Sequence, residues 1–327
     1  MKPLLWGLGG LAVVVGAFWL WVIWPSGDTA RPEASLPSAE GAAAPAGAAA
    51  ANAASLSTLA WSPFGKPETG WEIYAPRIAA EIGTSCEPGS DGFAAALARW
   101  QGEHGMARTG LMDGAVFAVM LPRWHLARPF VRANRDGICP GAPPESGLAV
   151  ARPDESYGGK TIQLRPAALD AYRRMKDAAR AAGVLHRAEA LKIYSGFRAP
   201  DADAQRCARE SNCQGLIRTI CSAHRTGLAV DLFIDAAPGF GPDSSADANR
   251  LAMARSPLYR WMVGNAGRFG FVNYVYEPWH WEWTGEPLLP GPPIASLSQA
   301  GAEPLTEPAE GSTPRTPAAA SGDRNRR

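Results

Sequence analysis

The segment CSAHRTGLAVDLFID, residues 221–235, decides which fold the sequence predicts. Its second half has the apolar composition of a buried strand, but Asp231 interrupts it, and a buried carboxylate is costly unless something pairs with it. On a strand, alternate residues share a face, so Leu228, Val230 and Leu232 point one way. Asp231 points the other way. The sequence therefore predicts a strand with one face toward a core and one face that carries a polar site.

A histidine lies just before this strand. His224 precedes Asp231 by seven residues. Gly227 stands between them and permits a turn that folds the imidazole back toward the start of the strand. A neutral histidine and an ionised aspartate are good zinc ligands, so the two residues predict part of a metal site.

A second segment, YVYEPWHWEW at residues 274–283, carries further polar residues. Glu277 and His280 are three apart, and on a regular strand they would face opposite ways. Pro278 disfavours a regular strand at this point. A bend there would bring both side chains toward one site.

Together these residues are sufficient for a catalytic zinc centre. Such a centre uses three protein ligands and leaves one position for water. His224, Asp231 and His280 supply the three ligands. Glu277 is then free to serve as general base toward the water.

These segments resemble the motifs of a known family. SAHRTGLAVD at residues 222–231 and EPWH at residues 277–280 are similar to the paired motifs of the zinc D-alanyl-D-alanine carboxypeptidases and dipeptidases. YSGFR at residues 194–198 resembles the family's Ser-Gly-Tyr-Arg element. The family includes vancomycin-resistance carboxypeptidases and phage endolysins, and it shares its fold with the hedgehog signalling domain. The resemblance spans roughly residues 160–285.

The resemblance implies Zn2+ as cofactor and hydrolysis of D-amino-acid peptide bonds in peptidoglycan stem peptides. It assigns the zinc to His224, Asp231 and His280 and makes Glu277 the catalytic base. The expected reaction is that of a D-alanyl-D-alanine carboxypeptidase. Two alternatives stay open: an endopeptidase with the same zinc site, and a wall-binding module without catalysis.

Three more residues are expected at the substrate. Arg198 matches the family arginine, which would brace the developing oxyanion or bind a peptide carboxylate. Ser222 matches the motif serine, which either touches the substrate or bonds a loop amide. Trp279 is close enough to the motif residues to wall the site, although the tryptophans of this segment are expected mainly in a core.

The composition divides the chain into five segments. Residues 25–60 are rich in Ala, Pro, Gly and Ser and predict a linker, and residues 286–327 predict a disordered tail. Residues 1–24 predict a membrane anchor. Residues 61–146 predict a small helical region, and residues 147–285 the catalytic domain.

The run from Leu4 to Trp24 is apolar and uncharged, and it is long enough to cross a bilayer as a helix. Trp19, Trp21 and Trp24 at its end favour the lipid–water interface. We therefore expect a single-pass anchor in the inner membrane, with the catalytic domain in the periplasm. A cleaved signal peptide, followed by secretion, is the alternative.

The helical region contains a second resemblance. Phe93, Leu97 and Trp100 recur at helical spacing. The pattern that follows is similar to the three-helix peptidoglycan-binding repeat. A plain helical hairpin that packs on the next domain is the alternative. The residues that fit the repeat are Trp100, Gln101, Gly105, Met106, Thr109, Gly110 and Asp113.

The catalytic segment predicts an α+β fold, with a small antiparallel sheet flanked by helices. Residues 165–183 form an amphipathic pattern that Gly183 ends, and residues 256–270 begin with Ser256 as N-cap and Pro257 at the first helical position. Strands are predicted within residues 190–198, 227–235, 271–277 and 279–285.

The cysteines at positions 86, 139, 207, 213 and 221 predict structural disulfides with one cysteine left over, as in exported proteins. A bond between Cys86 and Cys139 would tie the front of the folded region to a loop, and two of the other three would pair locally. Their spacings do not match a zinc finger or ribbon.

The charge balance excludes a general attraction to nucleic acid, because the formal net charge over 327 residues is only +1. The expected partners are a peptidoglycan stem peptide and, through residues 1–24, the membrane. The sequence leaves the oligomeric state open.

Overall fold

The structure is a computed structural model, and it describes residues 43–210 and 220–300. Within these residues, no helix has the length and apolarity needed to cross a bilayer. The predicted anchor at residues 1–24 lies outside the described residues. So does the part of the predicted tail from residue 301 to residue 327.

The described chain consists of short strands and longer helices. The strands are β1 Ala60–Trp61, β2 Glu68–Thr69, β3 Ala149–Val150, β4 Gln163–Leu164, β5 Ile193–Ser195, β6 Ala229–Leu232, β7 Phe271–Asn273 and β8 His280–Trp283. The helices are α1 Ala48–Ser55, α2 Ala75–Ile82, α3 Asp91–Glu103, α4 Gly114–Ala127, α5 Pro129–Arg135, α6 Pro166–Ala181, α7 Pro200–Glu210, α8 Asp247–Arg255, α9 Pro257–Asn265 and α10 Ile294–Ala300.

Four strands form the central sheet in the order β5-β6-β8-β7, and every neighbouring pair is antiparallel. The α+β class and the antiparallel sheet are therefore confirmed. Strands β7 and β8 are shorter than the sequence predicts, because turns at residues 275–276 and 278–279 separate them. In the register of β6 with β8, Asp231 stands opposite His280.

The apolar face of β6 packs as predicted. Leu228, Val230 and Leu232 are buried in the main core together with apolar residues of α6 and α9. The tryptophans of β8 and its preceding turn fill the same core, as expected for that segment. The helix residues concerned are Leu169, Tyr172 and Met175 of α6 and Leu258, Tyr259 and Met262 of α9.

The predicted helix ends are confirmed by their caps. Ser256 Oγ accepts a hydrogen bond from the Tyr259 amide at 3.1 Å, with Pro257 at the first position of α9. Helix α6 begins at Pro166 and ends before Gly183.

The helical region before the catalytic domain has its own apolar core, formed mainly by α2, α3 and α4. Several residues of the peptidoglycan-binding resemblance hold the connection between α3 and α4. Gln101 Oε1 accepts from the Gly110 amide at 2.8 Å, and Asp113 caps α4 by accepting from the Val116 amide at 2.9 Å. These contacts account for the pattern structurally, and wall binding by this region stays a prediction.

The prediction of a linker through residues 25–60 is wrong for residues 48–55, which form α1. Alanine has the highest helix propensity, and the run AAAANAAS gains a tertiary partner here. Asn52 is buried, donates to the Gly110 carbonyl at 2.8 Å and accepts from the Met112 amide at 2.9 Å.

The prediction of a disordered tail is wrong for residues 286–300. The Cys139 amide donates to the Pro292 carbonyl at 2.9 Å, and the Ile294 amide donates to the Gly137 carbonyl at 2.8 Å. Gly291 permits this contact, because a Cβ atom there would lie 1.9 Å from the Cys139 carbonyl oxygen. The segment therefore adds an extended stretch and α10 to the folded region.

The expected bond between Cys86 and Cys139 is also wrong. Cys139 is bonded to Cys221, and the Cys86 thiol is free. Sequence spacing does not encode which distant thiols meet. Cys213 and the side chain of Cys207 lie outside the described part of the molecule.

A buried ionic network joins the helical region to the catalytic domain. Arg250 of α8 has no exposed surface. Its Nη1 donates to Glu68 Oε1 at 3.2 Å, its Nη2 to the Tyr74 hydroxyl at 2.6 Å and its Nε to the Tyr276 carbonyl at 2.9 Å. Glu68 and Tyr74 belong to the helical region, so the cation links both parts.

We predict that Arg250→Ala lowers the free energy of unfolding by about 3–5 kcal/mol, because it leaves the Glu68 carboxylate buried and unpaired. Urea unfolding followed by circular dichroism measures the change. Arg260→Ala is the matched control, because Arg260 and its partner Glu87 are 50% and 70% exposed. It should cost under about 1 kcal/mol. Equal effects of the two variants would contradict the role of the network.

A second buried carboxylate fixes the loop that precedes β4. Glu155 has no exposed surface. It accepts hydrogen bonds from Arg173 Nε at 2.8 Å and from the Arg152 amide at 2.7 Å. Burial alone would raise the pKa of Glu155, but these bonds and the two guanidinium charges outweigh it and hold the pKa below its usual 4.5.

We predict that this carboxylate makes stability fall in acid. Because its pKa is lower in the folded than in the unfolded state, its contribution is fully present above about pH 4.5 and is lost as the pH falls through the folded-state value. The free energy of unfolding of the parent protein should therefore approach that of Glu155→Gln as urea titrations move from about pH 6 to about pH 3. A constant difference over that range would be the contrary result.

Candidate metal centre

The pairing of β6 with β8 builds the first half of the site. Asp231 and His280 are opposite each other, and directly opposed residues of antiparallel strands carry their side chains on one face. Asp231 Oδ1 lies 2.9 Å from His280 Nδ1. Both side chains are buried on the face of the sheet opposite the main core.

His224 reaches the same carboxylate from a turn. It lies in the short 3-10 helix Ala223–Thr226, which ends at Gly227 with a φ of 68°. Glycine adopts this left-handed conformation without a Cβ penalty, as the sequence predicts for a turn here. His224 Nε2 lies 3.2 Å from Asp231 Oδ2.

The outer ring nitrogens are also hydrogen-bonded. His224 Nδ1 lies 2.7 Å from the Gly196 carbonyl, and His280 Nε2 lies 3.3 Å from Glu282 Oε1. In a neutral imidazole, an N–H at the outer position leaves a lone pair on the nitrogen that faces Asp231. This is the usual arrangement of metal-bound histidines.

The donor set fits a tetrahedral zinc ion. Ligand atoms of His224, Asp231 and His280 all lie within 4.8 Å of one another. Zinc bonds to nitrogen and oxygen of about 2.0–2.2 Å place tetrahedral ligands about 3.3–3.6 Å apart. Small side-chain adjustments therefore suffice for zinc to bind.

Glu277 lies beside the three ligands. Its Oε2 is 4.0 Å from His280 Nδ1, and the amide of Glu277 donates to the Tyr274 carbonyl at 2.8 Å within the turn before Pro278. The bend that the sequence predicts at Pro278 brings both side chains to the site. Burial raises the pKa of Glu277 to about 7, against the attraction of His280 and two arginines.

The electrostatics around the histidines favour a cation. Burial lowers the pKa of His224 to about 4, which favours the neutral form that a ligand requires. Burial also acts to lower the pKa of His280, but hydrogen bonds to Asp231 and Glu282 outweigh it and raise the pKa to about 9. The carboxylates of Asp231 and Glu282 favour positive charge at His280. A divalent cation bound between His280 and Asp231 would supply that charge.

Arg198 faces the same site from the loop after β5. Its Nη2 donates to Ser222 Oγ at 3.2 Å, and its Nε lies 3.5 Å from Asp203 Oδ1. Ser222 Oγ also accepts from the His224 amide at 3.3 Å, so it bonds a loop amide. This was one of the two expectations for Ser222, and its place on the cleft wall keeps the other open.

All seven site residues named from the sequence line one cleft of about 580 Å³. Trp279 forms part of the wall while only 3% of its surface is exposed, because it also packs in the main core. His125, Arg128 and Phe130 of the helical region line the other side.

Two residues around the ligands were not predicted from the sequence: Glu282, which contacts His280, and Arg128, which contacts Glu282. Glu282 lies two residues after His280 on β8, and period-two alternation was the signal that would have found it. Arg128 pairs with Glu282 from 154 positions away in the chain. No local pattern indicates such a contact.

Residues 161–286 match the family model described as VanY, D-alanyl-D-alanine carboxypeptidase. This segment is similar to that family. The match confirms the resemblance that the motifs indicate. With the His-Asp-His cluster, it also confirms the prediction of a zinc metallopeptidase of the D-alanyl-D-alanine carboxypeptidase type.

Solved structures of similar proteins include an LD-carboxypeptidase, LdcB, at 23% identity and a TM-score of 0.33, covering 50% of this chain and 75% of the other. VanYB in complex with D-Ala-D-Ala is 20% identical, with a TM-score of 0.27 and coverage of 49% and 85%. A mutant of the vancomycin-resistance D,D-pentapeptidase VanY in complex with Zn(II) is 18% identical, with a TM-score of 0.26 and coverage of 50% and 89%. No curated protein matches the chain.

We predict that Asp231→Ala weakens zinc binding by more than about 100-fold, because it removes a ligand. Loss of a residue that only hydrogen-bonds a ligand typically costs about 10- to 100-fold. Competition with a chromophoric chelator measures the dissociation constant. His186→Ala is the control, because His186 is an exposed histidine outside the motifs. If Asp231→Ala bound zinc as tightly as the control, Asp231 would not be a ligand and the proposed ligand set would be wrong.

Proposed function

We propose that this protein is a zinc-dependent peptidase that removes the terminal D-alanine from peptidoglycan stem peptides. The observation that carries the proposal is the convergence of His224, Asp231 and His280 with an additional carboxylate, Glu277, beside them. The family of residues 161–286 supports the choice of substrate.

A zinc ion held by His224, Asp231 and His280 would supply Lewis-acid chemistry, polarising the scissile carbonyl and making the attacking water more acidic. Residues of the chain supply the other catalytic groups. One is a general base, and the other is a cation that stabilises negative charge.

Glu277 is the general base. It takes a proton from the attacking water and later delivers it to the leaving amine. Its position fits this role, because its carboxylate lies beside the three ligands, 4.0 Å from His280 Nδ1, and is not one of them. The turn at Pro278 fixes its backbone against Tyr274.

Arg198 stabilises negative charge on the substrate. Its guanidinium is held by Ser222 and Asp203 at one edge and is 23% exposed, on the wall of the cleft. A fixed guanidinium can brace the oxyanion or bind the free carboxylate of a terminal D-alanine in a bidentate manner. The second possibility favours a carboxypeptidase over an endopeptidase.

We also propose that the catalytic domain acts in the periplasm, attached to the inner membrane through residues 1–24. Two observations support this. Residues 4–24 are apolar and uncharged. The Cys139–Cys221 disulfide is typical of an oxidising compartment outside the cytoplasm.

We predict that Glu277→Gln retains zinc but loses about 100- to 10,000-fold in kcat, because it keeps the shape of the side chain and removes the base. Glu103→Gln, an exposed carboxylate on α3, is the control and should keep full activity. Steady-state hydrolysis of a pentapeptide, with zinc content measured on the same samples, tests this.

Mass spectrometry of the digested muropeptides identifies the reaction of the parent protein. Loss of a single D-alanine from the pentapeptide supports the proposal. Release of a longer peptide identifies an endopeptidase. Binding to sacculi without any product, with zinc bound, identifies a wall-binding module and contradicts the proposal.

A further inference from the structure

We propose that Arg128, which lies outside the segment that matches the family, is a positioning residue of the metal centre. It acts through Glu282 and fixes the orientation of His280. The inference rests on the zinc site of the proposed function, but it concerns metal binding rather than the bond that is cleaved.

One carboxylate oxygen connects the two residues. Arg128 Nε donates to Glu282 Oε1 at 2.8 Å, and Arg128 Nη2 donates to the same oxygen. That oxygen lies 3.3 Å from His280 Nε2. The side chains of Arg128 and Glu282 are only 9% and 4% exposed, so water competes little for these bonds.

The bond at Nε2 decides which way the imidazole faces. When Nε2 carries the proton and donates to Glu282, Nδ1 presents its lone pair toward Asp231, 2.9 Å away. A ring turned over about its Cβ–Cγ bond would lose both contacts. Glu282 therefore selects both the tautomer and the orientation of a metal ligand.

Arg128 holds Glu282 in place for this task. A buried carboxylate without a counter-charge is costly, and it would turn toward any available donor or toward water. The guanidinium of Arg128 is itself fixed, because it stacks 4.3 Å above the ring of Tyr274. The Tyr274 amide donates to the His280 carbonyl at 3.0 Å, so the same frame holds the backbone of the ligand.

The local sequence explains why Arg128 occupies this position. It lies between α4 and α5, and its amide donates to the His125 carbonyl at 3.1 Å. Pro129 begins α5 and disfavours helical backbone at the residue before it, and Arg128 is extended, with a φ of −85° and a ψ of 115°. The break between the two helices thus directs one arginine of the helical region into the catalytic cleft.

Zinc affinity of three variants tests the proposal. Arg128→Met keeps the aliphatic stem and removes the charge, and we expect about 10- to 100-fold weaker zinc binding by chelator competition. Arg128→Lys should recover part of the affinity, because it restores the charge but not both bonds to one oxygen. Arg132→Met, at an exposed arginine of α5, is the control and should leave the affinity unchanged.

A double-mutant cycle shows whether Arg128 acts through Glu282. Glu282→Gln alone should weaken zinc binding, and Arg128→Met combined with Glu282→Gln should weaken it by much less than the product of the two single effects. Circular dichroism and thermal unfolding show whether each variant folds. If Arg128→Met does not fold, the cycle is measured with Arg128→Lys and Glu282→Gln instead. Strictly multiplicative effects would overturn the proposal.

The kinetic readout separates positioning from direct substrate contact, since Arg128 also lines the cleft. Suppose that Arg128→Met binds zinc within about twofold of the parent and differs only in a raised KM. Arg128 would then be a substrate-binding residue, and the proposal would be overturned. The outcome is independent of the proposed reaction. If the parent cleaves no stem peptide but Arg128→Met still loses zinc affinity through Glu282, the positioning role stands and the proposed function fails.

Discussion

The structure depends on a carboxylate in the middle of a sheet. Asp231 is 7% exposed on β6, where its charge requires compensation. The two imidazoles that flank it, from the opposing strand and from the turn before β6, meet that requirement and leave three ligand atoms converging on one point. The opposite face of the same strand carries Leu228, Val230 and Leu232 into the main core. One strand therefore serves the packing of the domain and the chemistry of the site through simple alternation.

Residues that precede the catalytic segment in the chain complete the surroundings of the metal site. Contacts of this segment with the chain before it include the buried Arg250 with Glu68 and Tyr74, the Cys139–Cys221 disulfide, and the pair formed by Arg128 and Glu282. The disulfide adjoins Ser222, which caps the turn that carries His224, and the arginine pair adjoins His280. The helical region therefore supports both histidine ligands of the site, whether or not it also binds the wall.

The parts that the sequence predicted are those that local rules encode. Alternation on one strand separates Asp231 from the core residues, a glycine turn brings His224 back, and the bend at Pro278 brings Glu277 to the site. Ser256 marks the beginning of a helix for an equally local reason. These signals are contained within about ten residues of sequence each.

The parts that it missed depend on contacts between distant segments. The alanine-rich run 48–55 has the composition of a linker, and it forms a helix because Asn52 bonds the loop at Gly110 and Met112. Residues 286–300 are ordered because their backbone pairs with residues 137–141. Cys139 meets Cys221 rather than Cys86, and Arg128 meets Glu282, by the same long-range folding. A single sequence carries no pattern for such pairs.

The most direct test of the central claim is the coordination of zinc in the purified protein, measured by anomalous diffraction at the zinc edge. We expect one zinc ion per chain, with His224 Nε2, a carboxylate oxygen of Asp231 and His280 Nδ1 at about 2.0–2.2 Å from it, and with the Glu277 carboxylate outside bonding distance of the ion. A zinc ion bound elsewhere, or one ligated by Glu277 in place of Asp231 or either histidine, would contradict the central claim.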